Sequence, residues 1–392
     1  MKSTVKLILC AIMSLFIIII CNAKTFAQDI DNYITKNKKE YKTNDTAAIL
    51  KVFSKEVLDS TRLFIVGENH DVYYNDSIKF NLFKNLYYHA NVRIIFEEQP
   101  LSFIYFVQNY IETGNDSVIK EIGKRYQNEH IVDGYIPYRN FYSSIPATAK
   151  FKLTGINFDP CTWFTIYFFY DIFKNKAIPV EISDVVNCVN NFYDSDLLPS
   201  KKRLIKFIAI AEESMKKNDS IYKQILKEKY ILFVDVVHGL DIYIKFPDND
   251  YTKKPNPERE LFMFENIDTV IKQNPNQNYF SQLGYIHIPK KKGDWIYLKN
   301  WESLINILNT RNTIVSNKIT VMKLYYVVPM VDYKIYNNCF LTKTQRIALN
   351  KQYDRVYMLK TGAPESPFKE YSDYIDYLII DNVSKYHYYN LK

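Results

Sequence analysis

The stretch Leu63-Phe64-Ile65-Val66-Gly67-Glu68-Asn69-His70 decides the fold of this chain. Its four consecutive apolar residues indicate a strand that is buried on both faces, which is typical of a parallel sheet covered by helices. A glycine ends the apolar run, and three polar residues follow it directly. The sequence therefore predicts a core strand that delivers polar side chains to one end of a parallel sheet.

Alternating strand and helix patterns continue along the rest of the chain. Short apolar runs predict five more strands, at residues 92–96, 151–156, 279–285, 320–328 and 374–380. Apolar residues at three- and four-residue spacing predict helices at residues 45–58, 76–89, 100–112, 116–126, 137–149, 201–216, 220–246, 259–272 and 301–308. This alternation predicts an α/β fold with a mostly parallel central sheet flanked by helices.

The domain organisation follows from the same pattern. Residues 160–274 are helical in pattern over a long stretch, so we predict a helical insertion between the third and fourth core strands. We expect a single α/β domain over residues 45–392, preceded by a polar lead-in at residues 28–44.

Composition excludes several classes of protein. Of 392 residues, 47% are hydrophobic and only 9 are Gly and 14 Pro, which excludes collagen-like and globally disordered chains. The net charge of +8 is scattered, and no basic face or recognised module predicts nucleic acid binding. A Gly-rich phosphate loop, a Gly-x-Ser-x-Gly elbow and a two-Cys zinc pair are all missing from the sequence.

The first 27 residues have the pattern of a secretory signal. Lys2 and Lys6 precede a 15-residue apolar run at residues 7–21, which is shorter than the ~20 residues of a membrane-spanning helix. Small residues before Gln28 predict cleavage after Ala27. We expect a periplasmic or secreted protein without a stable membrane span after cleavage, and an uncleaved anchor is the alternative.

Cleavage would leave three cysteines, Cys161, Cys188 and Cys339. An oxidising compartment permits one disulfide and one remaining thiol among them, and the sequence leaves the pairing open.

Polar residues stand at the ends of four predicted strands. They are Glu68 and His70, the pair Glu97 and Glu98, Asn157 with Asp159, and His287. Because the carboxyl ends of parallel strands meet at one edge of a sheet, where ligands bind, we expect these side chains to lie close together.

These residue types permit two kinds of chemistry. His70 would act as a general base, with Glu68 or Glu98 orienting its ring and His287 as a second acid–base group. Alternatively, the histidines and carboxylates would hold a divalent metal and a water. Purely structural roles are also open, because a histidine at a strand end is often only a hydrogen-bond partner.

Several of these segments resemble a superfamily that contains the erythromycin esterase-like hydrolases, the TraB/Tiki-type proteins and a haem-uptake, ChaN-like branch. The similar segments are Gly-Glu-Asn-His at residues 67–70, residues 98–102 with 110–114, Gly-Ile-Asn-Phe-Asp at 155–159, Arg-Glu-x-x-Met-x-x-Asn at 259–266, and Gly-Tyr-Ile-His at 284–287. Asn157 and Glu260 each stand where the superfamily usually has Asp. The resemblance covers roughly residues 45–310.

The resemblance implies an exported hydrolase that cleaves an ester or related acyl bond of a small-molecule substrate. In that case His70 is the base, Glu68 and Glu98 orient it or ligate a metal, Arg259 binds the oxyanion, and His287 completes the site. Asn157, Asp159 and Asn266 are the candidate binding residues. Strand parity decides whether Glu97 or Glu98 faces the site, and the match over residues 98–102 favours Glu98.

The haem-uptake branch implies a different function, namely non-catalytic binding of haem or another small ligand. The Gly-Glu-x-His-Asp run at residues 67–71 and the abundant Tyr motivate this alternative. A third interpretation is a degenerate member with structural roles only, which the departures at Asn157 and Glu260 keep open.

Overall fold

The structure is a computed structural model and describes residues 28–40, 47–70, 75–128, 130–245, 256–295, 298–326, 345, 349 and 356–381. The predicted secretory signal and Cys339 lie outside the described residues. Export and the pairing of Cys339 therefore stay predictions, while Cys161 and Cys188 are free thiols.

Eight strands form the central sheet. The strands of the described residues are β1 (Lys39–Glu40), β2 (Leu63–Glu68), β3 (Val92–Pro100), β4 (Lys152–Asn157), β5 (Asn278–Gly284), β6 (Gly293–Trp295), β7 (Leu298–Trp301), β8 (Ile319–Tyr326), β9 (Tyr357–Lys360) and β10 (Tyr377–Asp381). The sheet order is β1-β9-β10-β8-β2-β5-β3-β4, and β6 pairs with β7 separately. The six strands from β10 to β4 are parallel, and β9 and β1 extend one edge antiparallel. The predicted mostly parallel sheet is confirmed.

Helices cover both faces of this sheet. They are α1 (residues 28–37), α2 (Ala48–Val52), α3 (Lys55–Ser60), α4 (Asn75–His89), α5 (Leu101–Thr113), α6 (Ser117–Arg125), α7 (Ile136–Ser144), α8 (Trp163–Phe173), α9 (Ser183–Tyr193), α10 (Lys201–Leu226), α11 (Tyr230–Lys245), α12 (Pro257–Gln273) and α13 (Leu304–Arg311). None of these helices combines the length and hydropathy that a bilayer crossing requires.

The apolar run at residues 63–66 explains the two-sided packing, because successive side chains of a strand point to opposite faces. Phe64 and Val66 join the core under α4, α5 and α7–α11. Leu63 and Ile65 join a second core under α1, α12 and α13. All four are fully buried, and each stabilises the fold by roughly 1.5–3 kcal/mol. The sheet therefore forms the middle layer of three.

Helices α8–α12 lie between β4 and β5, which confirms the predicted helical insertion between the third and fourth core strands. The last of them, α12, packs Met263 and Ile267 into the core beside the sheet. Its first turn thereby comes to lie at the carboxyl end of the strands.

Two predicted helices are interrupted in the structure. The helix predicted at residues 45–58 ends at the extended Phe53, and Ser54 caps the separate helix α3 by accepting a hydrogen bond from the Val57 N–H. The helix predicted at 220–246 is split because α10 runs through to Leu226 and ends at Lys227, whose φ is +51°. Sequence periodicity alone does not register such local changes of backbone direction.

Candidate active site

The strand order brings three sequence-distant segments to one end of the sheet. Strands β2, β5 and β3 are adjacent and parallel, so Glu68, Gly284 and Glu98 lie near their common carboxyl end. The first turn of α12 adds Arg259 and Glu260 from the side of the second core. The site is therefore assembled by tertiary structure from four separate segments.

Glu98 is the centre of this cluster. Its Oε1 accepts a hydrogen bond of 2.6 Å from Nη2 of Arg259 and lies 3.1 Å from Nε2 of His287. Its Oε2 accepts a 2.6 Å hydrogen bond from the Gly284 N–H. Burial by itself would raise the pKa of Glu98, but the charges of His287 and Arg259 outweigh it and hold the pKa well below its usual range. Glu98 is therefore an anion at neutral pH.

His287 lies in the interior behind Glu98. Only 1% of its side chain is exposed, and its two ring nitrogens face Glu98 and Glu260. Burial by itself would lower its pKa, but the negative charges of Glu260 and Glu98 outweigh that effect and raise the pKa to about 9. His287 is thus an imidazolium at neutral pH, which suits a charge-holding role and does not suit a general base.

Glu260 joins the cluster, although in the sequence it stood out only as a departure from the superfamily's usual Asp and was assigned no role in the site. It is fully buried, with Oε1 2.5 Å from Nδ1 of His287 and Oε2 accepting a 2.6 Å hydrogen bond from the Leu304 N–H at the start of α13. The Oε1–Nδ1 contact lacks the angles of a hydrogen bond, so the two groups attract as an ion pair. An acid in the first turn of a helix is commonly explained by its favourable interaction with the helix dipole. The sequence alone therefore did not indicate that Glu260 pairs with His287.

His70 is the exposed member of the cluster, with 60% of its side chain accessible. Its Nδ1 lies 3.2 Å from Oε1 of Glu68, and its Nε2 lies 3.9 Å from Oε1 of Glu98. The hydrogen bond to Glu68 is the main reason that its pKa is raised, and the charges of Glu98 and Glu68 add to it against burial and the His287 cation. His70 is thus the ionisable ring that a ligand can reach from solvent.

Arg259 contacts side chains at the carboxyl ends of β3 and β4 and the ring of His287 after β5. Besides Glu98, its guanidinium contacts Oδ1 of Asn157 through Nε at 3.1 Å and approaches Nε2 of His287 at 3.2 Å through Nη1. Its side chain is 15% exposed. A guanidinium held by two hydrogen-bond acceptors and still partly exposed can bind an oxyanion or a carboxylate.

The three candidate binding residues have different environments. Asn157 holds Arg259, as described, and Asn266 donates a 3.0 Å hydrogen bond to the Ile156 carbonyl oxygen. Asp159 is fully buried and accepts hydrogen bonds from the backbone N–H and the hydroxyl of Ser102 at the start of α5, while burial raises its pKa to about 7. The structure thus brings Asn157 to the cluster, whereas the side chains of Asp159 and Asn266 form hydrogen bonds with Ser102 and with the Ile156 backbone.

Strand parity separates the two adjacent glutamates of β3. Glu98 faces His287 and Arg259, whereas Glu97 points to the opposite face of the sheet and forms a buried ion pair with Lys79 of α4. The sequence-based choice of Glu98 over Glu97 agrees with this arrangement.

The side chains of this cluster do not fit a metal site. The described residues contain no group of three or more His, Cys, Asp or Glu side chains arranged to hold a metal ion. The physical reason is that Glu98 and His287 already contact each other and the Arg259 guanidinium, and that His287 is protonated. The expectation that Glu68, His70, Glu98 and His287 would share a metal gains no support from this geometry.

Haem ligation through His70 does not fit either. A Cβ added to Gly284 would lie only 2.7 Å from Nε2 of His70, so that nitrogen lies directly against the strand backbone. Its Nδ1 is bonded to Glu68. An axial haem ligand needs an open nitrogen with room for the macrocycle around it. A water molecule is much smaller and needs far less space beside the same nitrogen.

Solved structures share this fold. A mutant of the erythromycin esterase EreC in its open conformation aligns with a TM-score of 0.61 at 11% identity, over 88% of this chain and 97% of that one. A succinoglycan biosynthesis protein aligns with a TM-score of 0.62 at 13% identity, over 91% and 96% of the two chains. A protein from Bacillus cereus aligns with a TM-score of 0.60 at 11% identity, over 91% and 97%.

At 11–13% sequence identity, the similarity to these structures establishes the fold alone. The expectation that the chain adopts the fold of the erythromycin esterase-like proteins is confirmed. No protein-family model and no curated protein sequence matches the chain.

Proposed function

We propose that this protein, which shares its fold with an erythromycin esterase, is a hydrolase that cleaves an ester or related acyl bond of a small molecule. One observation carries the proposal. The exposed His70 is bonded to a carboxylate and approaches the same Glu98 oxygen as the partly open Arg259 guanidinium. A base and an oxyanion-binding cation thus stand beside each other at the ligand-binding end of the sheet.

The proposed reaction uses His70 as the general base. With Nδ1–H donated to Glu68, Nε2 of neutral His70 carries the lone pair that removes a proton from the attacking water. The Glu68 carboxylate stabilises the imidazolium that results. The proton then passes from His70 to the leaving alkoxide or other leaving group, which restores the neutral ring.

Arg259 stabilises the negative charge that develops on the acyl oxygen. Its guanidinium keeps its orientation because it donates hydrogen bonds to Asn157 and to the Glu98 anion. Such preorganised charge costs no rearrangement during the reaction, which is why it favours the transition state over the substrate. In this scheme His287, held by Glu260, keeps Glu98 in place, and neither His287 nor Glu260 touches the substrate.

The raised pKa of His70 sets the pH dependence of this reaction. Because the base must be neutral, the activity should increase with pH and reach its plateau above the ordinary titration range of a histidine. The proposal also includes export, for which the pattern of residues 1–27 is the support. N-terminal sequencing of the protein from the periplasm or medium tests it, since an uncut Met1 would contradict cleavage after Ala27.

The test of the proposed function is a panel of short-chain esters, thioesters and lactones, assayed with the purified protein and with His70→Ala. We expect turnover of at least one compound and a loss of about 10²–10⁴-fold in kcat for the variant. His238→Ala is the matched control, because His238 is exposed and lies outside the cluster. Equal turnover by the wild type and His70→Ala would remove His70 from the mechanism.

A further inference from the structure

Gln282 contacts the carboxylate that accepts a hydrogen bond from the base. It lies on β5 and is 5% exposed, and its Nε2 donates a hydrogen bond to Oε2 of Glu68. The other carboxylate oxygen of Glu68 faces His70. One carboxylate therefore stands between the exposed base and a buried amide.

The orientation of the Gln282 amide follows from its neighbours. Its nitrogen end faces two acceptors, namely Glu68 and the Asn75 carbonyl oxygen at 3.4 Å. An amide oxygen in that place would meet only other oxygens, so the NH₂ group must point toward Glu68.

The oxygen of the same amide destabilises the folded state. Oε1 of Gln282 is buried and has no hydrogen-bond partner among the described residues. A buried polar atom without a partner destabilises the folded state, and an apolar side chain of similar size would avoid this cost. Stability alone does not explain a glutamine here, whereas the contact with Glu68 does.

A network of hydrogen bonds fixes the backbone next to His70. Nδ2 of Asn75 donates a 2.7 Å hydrogen bond to the Asn69 carbonyl oxygen, and Oδ1 of Asn75 accepts one of 2.5 Å from the Tyr326 hydroxyl. The end of β2, the start of α4, β5 and β8 are thus joined around Glu68 and His70. Such rigid support is what a base needs to keep its orientation.

The buried pair Lys79 and Glu97 lies on the same face as Gln282. Glu97 and Gln282 occupy directly opposite positions on neighbouring strands, and the Lys79 ammonium interacts favourably with the charge of Glu68.

We propose that Gln282 is a positioning residue that holds the Glu68 carboxylate in the orientation in which it bonds His70. Gln282 does not touch the substrate and acts only through Glu68. The inference rests on the proposed role of His70 as the base.

The experiment measures the pKa of His70 directly, by NMR titration of protein labelled with ¹³C in the histidine rings. The His70 resonance is identified by its loss in His70→Asn. The groups that face His70 are Glu68 on β2, Glu98 on β3 and His287 after β5, and all three remain in Gln282→Met. A mobile Glu68 bonds His70 less well, so we expect the pKa of His70 to fall by about half a unit or more.

A double-variant cycle tests whether the effect passes through Glu68. Glu68→Gln alone should lower the pKa of His70, and adding Gln282→Met should change it no further. Ser281→Ala is the matched control. Ser281 is the neighbouring buried polar residue of β5, it bonds the Phe96 carbonyl oxygen, and its substitution should leave the pKa of His70 unchanged.

Two results would overturn the inference. One is a pKa of His70 that stays unchanged or rises in Gln282→Met, and the other is an equal fall in the presence and absence of Glu68. Where Gln282→Met fails to fold, Gln282→Asn keeps the amide but is too short to reach Glu68, and the same fall is expected. Because the titration needs no substrate, a protein that shows this pattern but hydrolyses nothing refutes the proposed reaction and leaves the positioning role intact.

Discussion

Replacing His287 by Gln should change how the stability of the protein depends on pH. The folded state raises the pKa of His287 from 6.5 to about 9, because the charges of Glu260 and Glu98 outweigh burial. At ~1.36 kcal/mol per pH unit, this difference corresponds to about 3 kcal/mol of stability. Since the folded pKa lies above the unfolded one, the contribution is complete below pH 6.5 and is lost as the pH increases through about 9.

The assay is urea unfolding of wild type and His287→Gln at several pH values between about pH 6 and pH 9.5. At the acid end the variant should be less stable, because Glu98 and Glu260 lose their buried cationic partner. The gap in unfolding free energy should shrink by about 3 kcal/mol toward the alkaline end. His238→Gln, an exposed His-to-Gln change, should run parallel to the wild type.

Groups far from His287 titrate alike in the two proteins and cancel, so the narrowing of the difference in unfolding free energy reports on His287 and its two carboxylate partners. A constant gap over the whole pH range would show that His287 is not a buried imidazolium. The charge-holding role assigned to it would then fail.

Three further predictions concern the same structure. Arg259→Lys should lower kcat by about 10²–10³-fold, because an ammonium cannot reproduce the planar guanidinium that donates several hydrogen bonds. An unchanged kcat in steady-state kinetics would disprove the oxyanion role of Arg259. Gly284→Ala should lower kcat because its Cβ would stand 2.7 Å from Nε2 of His70, and a fully active, normally folded variant would contradict that proximity. Lys79→Met should lower the unfolding free energy by about 3–5 kcal/mol, because it leaves the buried Glu97 unpaired. Adding Glu97→Leu in the same chain should restore most of the lost stability in urea unfolding. A double variant as unstable as Lys79→Met would argue against the pair.

The strands and most helices were predictable because their signals are local. An apolar run such as residues 63–66 has the same meaning wherever it stands, and the spacing at residues 76–89 and 259–272 identified α4 and α12 within two residues. The helix boundaries at Phe53 and Lys227 were missed, since they depend on single backbone conformations that periodicity does not encode.

The candidate site was only partly accessible from the sequence. Strand ends predicted that Glu68, His70 and Glu98 would approach one another, and the resemblance of residues 259–266 to the superfamily pointed to Arg259. Their mutual distances, and the burial that turns His287 into a cation, follow from packing.

The roles of Glu260 and Gln282 could not be read from the sequence, where Glu260 stood out only as a departure from the superfamily's usual Asp. A glutamate in the first turn of a helix and a glutamine inside a strand are ordinary residues by sequence. Only the neighbours that the fold supplies, His287 for one and Glu68 for the other, give them a role.

The alternation of strands and helices and the polar ends of the core strands can be read directly from the chain, because both depend on residues adjacent along it. The tertiary structure decided which glutamate of β3 faces the site, which histidine is open to solvent and which one is sealed between two carboxylates. The physical reason is that proton affinity and ligand access depend on burial and on charges a few ångströms away, and those charges come from residues up to about two hundred positions distant in the chain.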